Sequence, residues 1–183
     1  MIAFGAMSLS RRTVIRYGLG GAVALAAGGV GLSLQRTAPR APSRPLRALD
    51  ERTFSILAAV ADRVAPSRAG FPAASELQVA EKVDELLASV HPAVVEEITQ
   101  VLHLLENGLA GLVFDGRPRA FTALDPGAQD QALDAWKRSR LGLRRTAYKA
   151  LRGLCAAAYY ASPAIYPAVG YPGPPDFGNA VRR

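Results

Sequence analysis

The sequence is poor in the residues from which redox and metal centres are built. Its 183 residues include one cysteine and two histidines. A single thiol cannot hold an iron–sulfur cluster, and no Cys-x-x-Cys-His run is present for covalent attachment of a c-type haem. No Gly-x-Gly-x-x-Gly follows a strand-like run, so the dinucleotide fingerprint is also missing. The sequence therefore predicts no catalytic, cofactor-binding or metal site in this chain.

Acidic residues are lacking before Asp50, and this absence explains the net charge of +7. Seven of the 22 Lys and Arg residues lie in residues 1–47, so the 15 that remain are balanced by the 15 Asp and Glu residues of the body. Nucleic-acid binding needs basic charge clustered on the folded domain. The charge distribution therefore predicts no nucleic-acid partner.

The N-terminus carries an export motif. The run from Ser10 to Arg16 resembles the twin-arginine motif, whose usual form is Ser/Thr-Arg-Arg-x-Phe-Leu-Lys; the matching residues here are Ser10, Arg11, Arg12 and Ile15. Arginine pairs of this kind are read by a receptor of the export machinery. We therefore expect the twin-arginine translocase to be a partner, and the protein to be periplasmic or on the outer face of the cytoplasmic membrane.

An uncharged stretch over residues 17–34 follows, and its six glycines make it only mildly apolar. We interpret residues 1–36 as a twin-arginine signal peptide. A membrane anchor is the alternative, because 18 uncharged residues approach the length of a spanning helix. No clean Ala-x-Ala cleavage site follows, so an uncleaved signal stays open. Residues 37–48 are rich in proline and arginine and are expected to form an extended linker.

The body, residues 49–183, has helical periodicity, and no alternating run of strand length is visible. The spacing of apolar residues, together with capping residues and prolines, predicts helices over about 51–64, 76–89, 92–112, 125–136 and 140–161. The predicted fold is all-α: an irregular bundle of about five helices, preceded by the signal or anchor segment and followed by an extended arm over 162–183.

One pair of side chains raises the alternative of a metal enzyme. His103 and Glu106 are three residues apart on the third predicted helix and could share a metal ion. A ferritin-like di-iron bundle needs two Glu-x-x-His units and further carboxylates. Here the order is reversed and the second unit is missing. We therefore favour a solvated helix face for both residues.

The C-terminal region concentrates tyrosine and proline. Four of the six tyrosines fall between Tyr159 and Tyr171, among five prolines that cannot continue the preceding helix. These rings are expected to cover either the end of the bundle or a partner. Cys155, the only thiol, lies just before them. In an exported protein it is either a buried free thiol or half of an intermolecular disulfide.

The same region resembles the ending of the gluconate 2-dehydrogenase subunit 3 family. That ending has a Tyr-Tyr pair, a proline three residues later and a Gly-Tyr-x-Gly-Pro, matched here by Tyr159, Tyr160, Pro163, Gly170, Tyr171, Gly173 and Pro174. Tyr166 stands where a tryptophan is common. A looser similarity extends over residues 50–66 and 121–129.

The resemblance implies a non-catalytic small subunit of a membrane-associated sugar or alcohol dehydrogenase. In such complexes a large FAD-containing subunit of the glucose-methanol-choline type does the chemistry, and a cytochrome c subunit often takes the electrons. The small subunit acts as a chaperone and lends its signal so that the folded flavoprotein is exported. The expected partner interface consists of Cys155, Tyr159, Tyr160, Pro163, Tyr166, Gly170, Tyr171, Gly173 and Pro174.

Two other functions stay open at this point. The chain could be an independent exported helical enzyme with a ferritin-like metal site, or an envelope interaction protein tethered to the membrane by residues 17–34.

Overall fold

The computed structural model describes residues 37–174, and this part of the chain is helical, with seven α-helices, two short 3-10 turns and no strand. The α-helices are α1 (Glu51–Val64), α2 (Val79–Leu87), α3 (Pro92–Glu106), α4 (Gly108–Asp115), α5 (Pro126–Lys137), α6 (Gly142–Tyr160) and α7 (Tyr166–Val169). The 3-10 turns cover Phe121–Ala123 and Pro163–Ile165. The all-α class is thus confirmed. The predicted signal lies outside the described residues.

Two helices begin where capping chemistry placed them. The carboxylate of Asp50 accepts a hydrogen bond from the backbone N–H of Thr53 at 2.7 Å, and bonding to Thr53 lowers the pKa of Asp50. Asp125 caps α5 in the same way through the N–H of Ala128, with Pro126 at the first helical position. A side-chain oxygen that accepts from a free N–H in the first turn stabilises a helix start by about 1 kcal/mol.

The third predicted helix is wrong in one respect: the structure divides it at Asn107 into α3 and α4. The backbone of Asn107 is extended, and its side-chain oxygen accepts hydrogen bonds from the N–H groups of Leu109 and Ala110. Asparagine competes well for such caps. The apolar spacing of Leu105, Leu109 and Leu112 concealed the break, although Asn-Gly is a turn-favouring pair.

The second helix also begins later than predicted. Residues 75–78 form a turn in which Gln78 adopts a left-handed backbone (φ 52), and α2 starts only at Val79. The backbone N–H of Val79 bonds to the carbonyl of Ala74, which closes this turn. Ser75 therefore precedes the helix without capping it.

The core forms around α6, which packs against α1, α2 and α5. Helix α1 is buried over most of its surface, and Ile56 and Leu57 have no exposed area. Other core side chains that are almost fully buried are Val60, Val79, Val83, Leu87, Leu102, Phe121, Ala132, Leu151, Cys155 and Ile165. None of the helices between residues 37 and 174 is long and apolar enough to span a membrane.

Residues 37–49, which we call the strap, contain no helix or strand but are bonded along the body. At its beginning the N–H of Ala38 donates to the hydroxyl of Thr122 at 2.9 Å. In its middle Ser43 donates through both its N–H and its hydroxyl to one carboxylate oxygen of Glu81, at 3.2 and 2.9 Å. The sequence predicts an extended linker over residues 37–48 and gives no indication of these contacts.

The end of the strap is held by one buried carboxylate. Asp84 of α2, 2% exposed, accepts hydrogen bonds from the backbone N–H groups of Arg47, Ala48 and Leu49, at 2.7 to 3.0 Å. These bonds fix the backbone immediately before α1 and direct the side chain of Leu49 into the core, where it is 7% exposed.

Candidate partner interface

The predicted interface residues divide into a buried group and an exposed group. Cys155 has no exposed area and Tyr159 is only 4% exposed, so both belong to the core of this domain. The hydroxyl of Tyr159 donates to the backbone carbonyl of Pro72 at 2.8 Å. Tyr160, the next residue, is 51% exposed, because adjacent residues on a helix point about 100° apart.

Cys155 is a free thiol in the described part of the chain, and its burial raises its pKa to about 12. The thiolate is the form that attacks a disulfide, and at neutral pH this environment suppresses it. Of the two alternatives for this residue, its complete burial favours the buried free thiol.

We expect the folded protein to resist labelling of Cys155 by a maleimide at pH 8, and to incorporate one label per chain after denaturation. Burial raises the pKa of Cys155 to about 12 from an ordinary 9.0. Between these two pH values the thiol is therefore still protonated in the folded protein but deprotonated in the unfolded chain. Its contribution to folding stability is therefore complete below pH 9.0 and falls as the pH rises towards 12. Mass spectrometry measures the labelling. Fast labelling without denaturant, or a disulfide-linked dimer, would contradict this burial.

The C-terminal arm is folded onto the body over its described part, which is a correction to the extended arm that the sequence predicts. Ile165 inserts into the core with no exposed area, and the buried hydroxyl of Ser162 accepts from the ammonium group of Lys82 at 2.6 Å. Burial of Ile165 favours the helical turns over 163–169 instead of an extended chain. Residues 175–183 lie outside the described residues.

Two glycines of the Tyr/Pro-rich ending shape the turns of the arm. Gly170 ends α7 with a φ of 67°, and Gly173 has a φ of 105°. Residues other than glycine rarely adopt these left-handed backbone conformations. The turn at Gly170 brings Tyr171 back against Tyr166, with ring centroids 4.9 Å apart in a T-shaped arrangement.

The end of α6 and the exposed part of the arm form an aromatic surface. Tyr160 of α6 and Val169 and Tyr171 of the arm are between 44% and 51% exposed, and Pro163 and Pro174 are also exposed. Tyrosine buries a large area at low cost in side-chain entropy. This arrangement suits a protein contact, and its use as an interface stays a prediction.

At its C-terminal end the polar face of α3 is not solvated as the sequence suggests, whereas Glu96 and Glu97 are exposed. Glu106 is 2% exposed, and its two carboxylate oxygens accept from the N–H of Thr122 at 2.9 Å and from its hydroxyl at 2.6 Å. His103 lies 3.1 Å from the hydroxyl of Thr53. The turn over residues 121–124 covers this end of α3, which explains the burial. Among residues 37–174 no group of three or more His, Cys, Asp and Glu side chains is placed to hold a metal ion.

Together these features define a small all-helical domain. A strap is bonded along it at the N-terminal side, and an aromatic surface lies at its C-terminal end. The family model for gluconate 2-dehydrogenase subunit 3 matches residues 51–173. The chain therefore belongs to this family, as its Tyr/Pro-rich ending predicts. The comparisons with curated proteins and with solved structures gave no match.

Proposed function

We propose that this protein is the small subunit that binds, stabilises and escorts an FAD-containing dehydrogenase of the glucose-methanol-choline type through the twin-arginine pathway. Membership of the subunit 3 family carries this proposal, because it makes the chain an accessory subunit of a gluconate dehydrogenase complex. In this proposal the partner binds FAD and performs the oxidation, a cytochrome c subunit accepts the electrons, and the assembled complex lies on the outer side of the cytoplasmic membrane.

The strap supports the escort role. It joins the predicted signal to the body through bonds to Thr122 and to α2, through Glu81 and Asp84, so the connection depends on several separate elements. The twin-arginine route carries folded proteins. A signal whose attachment point is built from the folded body is suited to a cargo that is exported only after folding.

The arm supports the binding role. It exposes Tyr171, and α6 exposes Tyr160 just before it. Tyrosine is, with Trp and Arg, the residue type most enriched among the anchors of protein interfaces. The buried Ile165 fixes the base of the arm, so little conformational freedom is lost when a partner binds. We assign the contact to Tyr160, Val169 and Tyr171, with Pro163 and Pro174 beside them.

The double substitution Tyr160→Ser and Tyr171→Ser is expected to weaken binding of the large subunit at least about thirtyfold, since loss of an anchor typically costs about 2 kcal/mol or more. Co-purification with the large subunit, followed by titration of the isolated subunits, measures the effect. The thermal stability of the variant alone should change little, because both side chains are about half exposed.

Val94→Ser, which removes an exposed apolar side chain from α3, is the matched control and should bind normally. Undiminished recovery of the large subunit with the tyrosine variant would place the interface elsewhere. Truncation after Ala161 is a poorer test, because it also removes the buried Ile165 and would lower the stability of the domain itself.

A further inference from the structure

A second exposed apolar surface lies at the start of α6, at the end of the helix remote from the arm. Leu141 and Leu143 are 48% and 69% exposed, and together with Leu104, which is 36% exposed, they border a cleft of about 170 Å³. Phe121 and Trp136 lie deeper in the same cleft. Exposed aliphatic side chains grouped in this way are typical of surfaces that contact another protein or a membrane.

Arg117 and Arg119 line the same cleft. Arg140 is exposed next to Leu141, and the exposed Arg145 donates to the carbonyl of Arg140 at 3.0 Å. We call the whole surface the Leu/Arg patch: Leu104, Leu141 and Leu143 with Arg117, Arg119, Arg140 and Arg145. The carboxylate of the cleft, Asp115, accepts from Arg117 at 2.8 Å and from the buried Arg144 at 2.6 Å. Arg119 and Arg140 make no ion pair within residues 37–174. The patch is therefore strongly positive although the body as a whole is neutral.

The beginning of α6 departs from the rules that stabilise a helix start. Its N-cap is Leu141, which makes no side-chain capping bond, and no acidic residue lies in its first turn. Arg144 and Arg145 lie there instead, where the positive end of the helix dipole disfavours cations. The starts of α1 and α5, in contrast, have aspartate caps. Departures from local rules that coincide at one place are typical of functional surfaces.

We propose that the Leu/Arg patch docks on the anionic surface of a lipid bilayer. Exposed aliphatic side chains among cations are typical of segments that lie in the headgroup region, where leucine enters the acyl boundary and arginine meets phosphate. A protein partner is the weaker fit, because the exposed side chains of the patch include no tyrosine or tryptophan. The aromatic arm already supplies a surface of that kind.

The geometry allows both contacts at the same time. Helix α6 has 19 residues and is therefore about 28 Å long, with the patch at its first turn and the arm after its last. A dehydrogenase bound at the arm would leave the patch free to lie on the membrane. The docking proposal does not depend on the identity of that dehydrogenase.

Trp136, the only tryptophan of the chain, lines the cleft beside Leu141 and Leu143 and reports on the patch directly. We would mix the full chain with phosphatidylglycerol vesicles that have brominated acyl chains, which quench tryptophan at short range. Quenching of the Trp136 fluorescence should increase with the lipid concentration and weaken at high salt. Brominated phosphatidylcholine vesicles, which carry no net charge, should quench it little. Because residues 17–34 are present in every variant, their own affinity for lipid does not affect the comparison.

Two variants test the two halves of the patch. Arg140→Gln with Arg145→Gln should raise the half-saturating lipid concentration on the order of twentyfold, at about fivefold for each charge removed. Leu141→Ser with Leu143→Ser should remove most of the quenching, and it should not unfold the protein because serine is a preferred N-cap. The control Lys149→Gln with Arg152→Gln removes two exposed charges further along α6 and should behave as wild type.

Absence of quenching in the wild type, or equal quenching of wild type and both patch variants, would overturn the proposal. Loss of large-subunit binding by the patch variants, without any lipid quenching, would also overturn it, because the patch would then be a protein interface. Quenching that both patch variants lose and the control retains would establish the docking surface.

Discussion

Replacement of both Arg11 and Arg12 by lysine is expected to leave this chain and its flavoprotein partner in the cytoplasm. The substitution keeps both charges but removes the planar guanidinium groups, which a receptor can bind through paired hydrogen bonds and which ammonium groups do not reproduce. Fractionation of cells that express both subunits measures the distribution of each. The expected loss of export is nearly complete for both chains, because the proposed partner depends on this signal.

Arg16→Lys is the matched control, because it makes the same chemical change in the same motif at a position where lysine is usual. It should not affect export. Normal export of the Arg11/Arg12 double variant would refute the signal assignment. Retention of this chain while the partner is still exported would keep the signal assignment but contradict the escort role.

Asp84→Ala is expected to destabilise the domain by roughly 3 kcal/mol, since three backbone N–H groups lose their charged acceptor and each bond is worth about 1 kcal/mol or more. For a domain of this size the melting temperature should fall by about 10 °C. Circular dichroism during thermal unfolding measures the shift. The Ala variant should also expose the strap to proteolysis at Arg44 and Arg47 before global unfolding, because the strap would lose its anchor.

Asp62→Ala, which removes the α1 carboxylate that pairs with Arg40 of the strap, serves as the control. Asp62 pairs with Arg40, whose side chain is well exposed, and such surface pairs contribute about 1 kcal/mol at most. Equal shifts for Asp62→Ala and Asp84→Ala would show that burial of the Asp84 carboxylate is not what holds the strap. The melting-temperature shift of Asp84→Asn should fall between those of the two alanine variants. The asparagine amide keeps one acceptor oxygen, but its NH₂ group would face a backbone N–H that also needs an acceptor.

The sequence predicted those helices whose first and last residues are set by neighbouring capping residues and prolines. Helix α1 runs over 51–64 as expected, because Asp50 starts it and Pro66 follows its end. The break at Asn107 depends on a choice between continuing a helix and capping a new one, and both outcomes fit the apolar spacing. The strap was not predictable, because most of its acceptors lie 35 or more residues away in the sequence and no local pattern encodes such a pairing.

The candidate interface was predictable to a similar degree. The motif located the arm, but it could not separate structural residues from contact residues. Tyr159 and Tyr160 are adjacent and chemically identical, yet Tyr159 is buried and donates to the carbonyl of Pro72, whereas Tyr160 faces solvent. Packing of α6 against three other helices decides which of its faces is buried. The Leu/Arg patch was missed because Leu141 and Leu143 continue the apolar composition of a core and only the fold leaves them outside.

The strap has a consequence for the order of events during synthesis. The bond between Ala38 and Thr122 joins residues 84 positions apart, so the partner of Ala38 does not exist when the N-terminal segment leaves the ribosome. Closing a loop of this length becomes favourable only when the helices between its ends have formed. The predicted signal is therefore translated first, and the contact that holds the beginning of the strap forms only after most of the domain has been made.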